Sequence, residues 1–317
     1  MTPAETNNPT TAPKSGWRSL SFFKRFLIVC GSGIILVALL LYLILFAGLP
    51  DTEEIKAYQP KSIVTAGHID WSKHSGEQPI RIWAPIAAIS PLLQTAVIIS
   101  EDDLFYQHDG VNFDMMKEAW KINWQKKRYV RGASTITMQL ARNAFLTKRK
   151  TIIRKVREII LARRIESCLK KRRILELYLN IVEWGDGIYG AEAASRYYFG
   201  KAAASLNLNE ATLLASMLPN PKYFNPFRRL SSCRRMQKRV LELLQLSKQI
   251  SAEQVAGAES EPPALRGMAL PPPAAAAEID SLEELKYLEA IPTVGIEIAP
   301  RLPRTESPDS AANQPQQ

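Results

Sequence analysis

Apolar residues follow three different patterns along the chain, and each predicts a different kind of element. From Phe26 to Leu49 they run without a charge, "FLIVCGSGIILVALLLYLILFAGL". As a helix rising about 1.5 Å per residue this run spans roughly 36 Å, enough to cross a bilayer with some tilt. It is longer than the roughly 7 to 15 residues of a cleavable signal core and no small-x-small site follows, so it predicts an uncleaved anchor over 26–49. Between Pro50 and Pro85 the apolar positions instead form two short β-type segments, "KSIVTAGHIDW" and "PIRIWAPI". Beyond Pro85 helical spacing dominates, predicting a mainly α outer domain over residues 50–258.

Ser90 and Pro91 read as an N-cap followed by proline at the first helical position, opening "PLLQTAVIIS". Glu101, Asp102 and Asp103 then crowd its end. Two readings stand. Either the acids sit at a helix C-terminus, where the macrodipole disfavours negative charge, or Ser100 caps a new helix with Asp103 at its third position, where acids are comfortable. The first reading requires a chemical reason for the carboxylates.

Further on, "RKTIIRKVREIILARRIES" places Ile152, Ile153, Val156, Ile159 and Ile160 on one arc of a helical wheel and Leu161 and Ile165 on the other. Glu158 shares the second side, one turn after Arg154, which also describes a plain i, i+4 ion pair worth a few tenths of a kcal/mol. Residues 115–130, "MMKEAWKINWQKKRYV", combine tryptophan with lysine and arginine, a composition suited to a membrane interface and equally to a core helix with a solvated basic face.

Three apparent motifs lack their context. Gly185, Gly187 and Gly190 match G-x-G-x-x-G, but a helix ("KKRRILELYLNIVEW") precedes them instead of a strand. Ser21 to Lys24, "SFFK", fits S-x-x-K but lies before the anchor. His68, His74 and His108 have no metal-ligand spacing, and His108 beside Tyr106 and Gly110 reads as a hydrogen-bonded structural histidine.

Charge changes the picture. Residues 251–317 hold 10 of the 21 prolines and 11 acidic against 4 basic side chains, a net of −7, which reads as a disordered tail assigned to 259–317. Since the whole chain is +10, residues 1–250 carry +17, so the folded part calls for an anionic partner. Lys14, Arg18, Lys24 and Arg25 precede the span, which keeps residues 1–25 in the cytoplasm and sends the rest outward by the positive-inside rule. An outward-facing domain points to lipid headgroups or a phosphorylated substrate and away from nucleic acid. Cys168 and Cys233 show neither CxxC nor zinc spacing, so neither a disulfide framework nor a metal site is indicated.

Five ordered stretches carry a resemblance: "EDDLFYQHDG" (101–110), "RGASTITMQLARN" (131–143), "RKVREIILARRIE" (154–166), "KRRILELYLNIVEWGDGIYGAEAASRYYFGK" (171–201) and "NEATLLASMLPNPKYFNP" (209–226). Together they resemble the peptidoglycan glycosyltransferases of bacterial cell-wall synthesis, in the monofunctional membrane-anchored form because no transpeptidase domain follows. The resemblance implies a lysozyme-like helical fold with a small membrane-dipping subdomain, supplied by residues 115–130, on the periplasmic side of the inner membrane. It implies polymerisation of lipid II, a disaccharide-pentapeptide on undecaprenyl pyrophosphate, into β-1,4 glycan strands.

On that resemblance Glu101 is the general base and Glu158 the second essential carboxylate. Asp102, Phe105, His108, Ser134, Thr135, Gln139, Arg142, Asn143, Arg149, Arg154 and Lys155 are substrate-binding, the basic ones around the pyrophosphate. Arg142 stands where the family usually has lysine, and Met138 replaces the first of two glutamines, which predicts a missing cleft hydrogen bond. No protein-bound cofactor is expected, with Mg2+ a candidate at the substrate pyrophosphate. The partners are lipid II, the growing strand and membrane lipid, with cell-wall synthesis or division proteins as candidates for the tail. Two rivals are a lysozyme-like glycan-cleaving enzyme, since paired carboxylates also serve hydrolysis, and a non-catalytic membrane adaptor.

Overall fold

The structure is a computed structural model that describes residues 21–63, 71, 78–128, 132–147 and 149–267. His68 and His74 lie outside these, as does most of the first β-type segment. The chain divides into a unit of residues 1–49 and a unit of residues 50–317.

In the first unit helix α1, Phe22–Phe46, is long and apolar enough to cross a membrane. It begins four residues before the expected run, taking Lys24 and Arg25 into its first turn. It stops at Phe46 because Ala47 turns extended ahead of Pro50, whose ring resists continuing a helix.

The second unit is mainly helical, as the periodicity predicts. After α2 (Thr52–Ala57), capped by a reciprocal Asp51–Glu54 box, a two-residue strand β1 (Ile80–Arg81) is all that forms from the expected β-type segments among the described residues. It pairs in parallel with β3 (Ile188–Tyr189), which pairs antiparallel with β2 (Glu183–Gly185), in the order β1-β3-β2. Gly187 turns the β2–β3 hairpin at φ +69°, so the glycine-rich stretch serves a turn and not a dinucleotide.

Helix α8 (Ala191–Phe199) packs on this sheet, and two further groups of helices make up most of the rest. Helix α3 (Pro91–Glu101) packs on α9 (Leu208–Met217) and α10 (Leu230–Leu246). It buries Leu93, Val97, Ile98 and Ile99, each worth about 1.5–3 kcal/mol on removal from water. Helix α5 (Ile136–Phe145) lies against both α6 (Ile152–Cys168) and α7 (Lys171–Ile181). Asn180 of α7 joins the sheet side to the helices, its amide donating to the Ala84 carbonyl and its oxygen accepting the Ala84 N–H, both at 2.8 Å. Trp184 in β2 donates its indole N–H to Leu214 of α9 at 2.9 Å. Helix α4 (Phe113–Gln125) completes this part.

Helix α6 buries the narrower of its two apolar arcs. Leu161, Ala162 and Ile165 meet the core, while Ile152 is 85% exposed and Ile153 is also uncovered. The first turn of α6 thus leaves Ile152 and Ile153 outside, while Ile159 of the same arc packs against Val111, Met138 and Ala162.

The expected border at 258 falls inside a helix. Helix α11 (Ala252–Ser260), with a Ser251–Gln254 capping box, packs on α10 and α9. Beyond it Leu265 is buried, and the Arg266 N–H donates to the Tyr198 carbonyl at 2.8 Å. The proline-rich acidic composition places 259–267 in the tail, whereas buried Leu265 and the Arg266 backbone bond hold this stretch on the domain; 268–317 lie outside the described residues.

Candidate active site

Glu101 is the last residue of α3, and Asp102, with φ −164°, ends the helix. Ser100 is inside the helix, so the acids occupy the C-terminal end and the capping alternative does not occur. Burial raises the Glu101 pKa from 4.5 to about 7, against a hydrogen bond from Gln139 and the charge of Arg142, with Asp102 adding a small upward push. The side-chain amide of Gln139 donates to Glu101 Oε2 at 2.7 Å. The carboxyl therefore sits near half-ionisation at neutral pH, the state suited to a general base.

The loop after Glu101 is held by groups that the resemblance assigns to substrate. Asp102 is buried, and its carboxylate accepts His108 Nε2–H at 2.9 and 3.1 Å and the Ile136 N–H at 2.9 Å. An anion at the first turn of α5 is favoured by the helix dipole. Thr135, also buried, donates its hydroxyl to the Gly110 carbonyl at 2.6 Å and caps α5 by accepting the Met138 N–H. Phe105 is fully buried, with Lys171 Nζ 4.5 Å from its ring centre. Asp102, Phe105, His108 and Thr135 are thus all held by contacts within the protein, His108 by its hydrogen bonds to Asp102. Gly110 closes this loop at φ +83°, where an added Cβ would stand 2.7 Å from the Ala162 carbonyl oxygen of α6.

The cations gather around Glu158, which is 1% exposed. Arg154 binds one of its oxygens, and Lys155 Nζ lies 3.1 Å from the other. Lys155 also donates to Ser134 Oγ at 2.6 Å. Thr151 caps α6 by accepting the Arg154 N–H at 3.1 Å, which sets the turn that carries both cations. Burial lowers the Lys155 pKa from 10.5 to about 8, helped by the charges of Arg142 and Arg154. Arg142 acts on Glu101, Arg154 and Lys155 alike, so it stands electrostatically between base and cation cluster. Its guanidinium donates to Asn143 Oδ1 at 3.3 Å. Arg149 and Asn143 are exposed.

Met138 corrects an expectation. It is fully buried against Val111 and Ala162, pointing away from the cleft, so its replacement of a glutamine removes no cleft hydrogen bond; Gln139 makes that bond instead.

Three participants escaped the sequence reading. Tyr178 donates to Gln139 Oε1 at 3.1 Å from the buried face of α7. Lys171 Nζ donates to the His108 carbonyl at 2.6 Å and to Glu166 at 2.7 Å, and Glu166 accepts the Thr137 hydroxyl at 2.6 Å. The polar break that Tyr178 makes in an apolar helix face was the one available signal for it.

Comparison with known proteins bears on this arrangement. A family model described as "Transglycosylase" matches residues 69–245, more than half of the chain. The chain belongs to the transglycosylase family. Among curated transglycosylases, a "Biosynthetic peptidoglycan transglycosylase" of Bordetella avium is 50% identical over 150 residues, covering 46% of this chain and 62% of that protein. One of Laribacter hongkongensis is 45% identical over 146 residues, covering 46% of this chain and 64% of its own. The chain therefore spans less than two thirds of the length of these relatives. Penicillin-binding protein 1A from Haemophilus influenzae, a solved structure, is 22% identical with a TM-score of 0.37 over 59% of this chain and 18% of its own, too loose a likeness to carry an argument.

Proposed function

We propose that this chain polymerises lipid II into β-1,4 glycan strands, with inversion at the anomeric carbon and release of undecaprenyl pyrophosphate. The observation that carries the proposal is the juxtaposition of a base titrating near pH 7 with a cation cluster, linked by Arg142. The names of the curated relatives agree with it.

The chemistry needs a sugar 4-hydroxyl to lose its proton as it attacks, while a diphosphate leaves from the opposite face. Glu101 takes that proton. Arg142, Arg154 and Lys155 face the charge that grows on the departing diphosphate, and fixed cations lower that barrier because they are already oriented. Glu158 holds Arg154 and Lys155 in place from within the protein. Arg149 and Asn143 are exposed and so remain open to the substrate in this reading.

Glu158 is already committed to two cations, so the side chains here do not suit a protein-held metal. A magnesium ion would arrive on the diphosphate. Helix α1 supplies the anchor in the cytoplasmic membrane, with the catalytic domain on the periplasmic side. Trp120, 66% exposed, and Trp124, 72% exposed, stack at 5.5 Å on α4 and would rest at headgroup depth.

Incubating the detergent-solubilised full chain with labelled lipid II tests the reading: long glycan and free undecaprenyl pyrophosphate are expected. Release of soluble fragments from finished sacculi, with no polymer from lipid II, would overturn it.

A further inference from the structure

We propose that Tyr178 is a positioning residue for Glu101, acting through Gln139 to keep the base in its ionised, substrate-ready form. The inference rests on the reading of Glu101 as the base.

The geometry is a chain of three groups on three helices. Tyr178 on α7 donates its hydroxyl to Gln139 Oε1 at 3.1 Å, and Gln139 on α5 donates its amide N–H to Glu101 Oε2 at 2.7 Å at the end of α3. A glutamine amide has two faces of opposite character, one that only donates and one that only accepts. Which face meets Glu101 decides which protonation state of Glu101 is favoured. The NH2 side stabilises the carboxylate, whereas the carbonyl side would repel a carboxylate and accept a hydrogen bond from the O–H of the neutral acid.

Tyr178 biases that choice. Its phenol is fully buried, and burial together with the charge of Glu101 holds its pKa well above the usual 10.0, so it stays protonated at any pH the enzyme meets. Among the described residues its hydroxyl makes one hydrogen bond, to Gln139. Turning the amide over would leave that O–H with no acceptor, which is costly for a hydroxyl on a fully buried side chain. The phenol therefore pins the carbonyl of Gln139 toward α7 and the NH2 toward Glu101. The Gln139 amide ties down only Oε2 of the carboxylate, leaving the second oxygen to meet an incoming hydroxyl.

Tyr178 itself stays out of contact with the reacting groups in this account, so its loss should move the ionisation of Glu101 and leave substrate affinity alone. In the Tyr178→Phe variant the amide is free to turn, and the acid limb of the kcat/KM profile for lipid-linked disaccharide is expected to move up by about 0.5 to 1 pH unit. Activity should recover toward wild type by about pH 8, with KM unchanged at that pH. Gln139→Met, close in shape and without either hydrogen bond, should raise the Glu101 titration to a similar extent, and the double variant should add nothing to that rise.

The test is the pH profile of the full chain in detergent for the wild type and these variants, together with a 13C titration of selectively labelled glutamate, the Glu101 signal being assigned by its loss in Glu101→Gln. A shifted limb and a raised Glu101 titration support the proposal. A parallel loss at every pH, with Glu101 titrating as in wild type, overturns it. If wild type forms no polymer at any pH, the proposed function falls, and the carboxyl titration still decides the positioning role. If Tyr178→Phe does not fold, the carboxyl titration of Gln139→Met decides it: a raised Glu101 titration supports the relay through the amide, and an unmoved one overturns it.

Discussion

Lys155 Nζ lies 3.1 Å from Glu158 Oε2, and Arg154 occupies the other oxygen of the same buried carboxylate. A single anion thus holds together two cations that would otherwise repel each other beside Arg142. An i, i+4 ion pair on a helix surface is worth a few tenths of a kcal/mol, but here burial turns the pair into the mount for a cation cluster. In Glu158→Gln the shape is kept and the anion removed. Turnover of lipid II is expected to fall by about 10²–10³, with the far-ultraviolet circular dichroism spectrum unchanged. Wild-type turnover in that variant would show that the cations need no mount.

Activity should be confined to a narrow pH window. Glu101 must be ionised, which requires a pH above about 7, and Lys155 must be charged, which requires a pH below about 8. A rate profile with limbs near these two values is expected, and a flat profile from pH 5 to 9 would contradict the assignment.

The same shifts bear on stability, with a definite sign. The folded pKa of Glu101 is raised, so its favourable contribution is full below about pH 4.5 and is lost as pH rises through about 7. The folded pKa of Lys155 is lowered, so its contribution is present above about pH 10.5 and is lost as pH falls through about 8. The working pH is therefore where the fold is least content with both groups. Glu101→Gln is expected to be more stable than wild type at pH 8, by roughly 1 to 3 kcal/mol, and the difference should close near pH 4.5. Thermal melts at the two pH values check this.

Met138→Gln restores the residue usual in the family at a position that here faces Val111 and Ala162. Burying an amide without partners is expected to cost about 1–3 kcal/mol and to leave turnover of the remaining folded protein unchanged. A gain in turnover would mean that position 138 reaches the cleft.

Gly110→Ala tests the loop that carries Asp102 and His108. The left-handed φ of +83° and the 2.7 Å approach to the Ala162 carbonyl leave no room for a methyl group. A loss of at least about 2 kcal/mol of stability is expected, measurable by urea unfolding. An unchanged midpoint would mean that the loop shifts freely away from α6.

The sequence was most informative where one residue's chemistry depends on its own helix. A helix opening at Pro91 and running to about Ser100, Arg154 one turn before Glu158, and the membrane-length helix were legible from spacing. Whether the acids end α3 or open a new helix was not, and Lys155 entered only through the resemblance. It was least informative where function depends on which face of an element turns inward. Family motifs treat Asp102, Phe105, His108 and Thr135 as one set with Gln139 and Arg142, yet only tertiary packing separates the first four, of which Asp102, Phe105 and Thr135 are buried and His108 half-buried against Asp102, from the last two, which act on Glu101. Met138 and Gln139 are adjacent and differ in role because an α-helix turns about 100° per residue. Tyr178 lay 39 positions from Gln139, a distance that no local pattern spans.

The central claim is that the Glu101 carboxylate removes the proton of the attacking hydroxyl. Single-turnover polymerisation of labelled lipid II by Glu101→Gln at pH 7.5, beside wild type of equal fold, tests it most directly. A fall in rate of about 10²–10⁴ is predicted, with lipid II binding retained. A variant that extends glycan at the wild-type rate would contradict the claim.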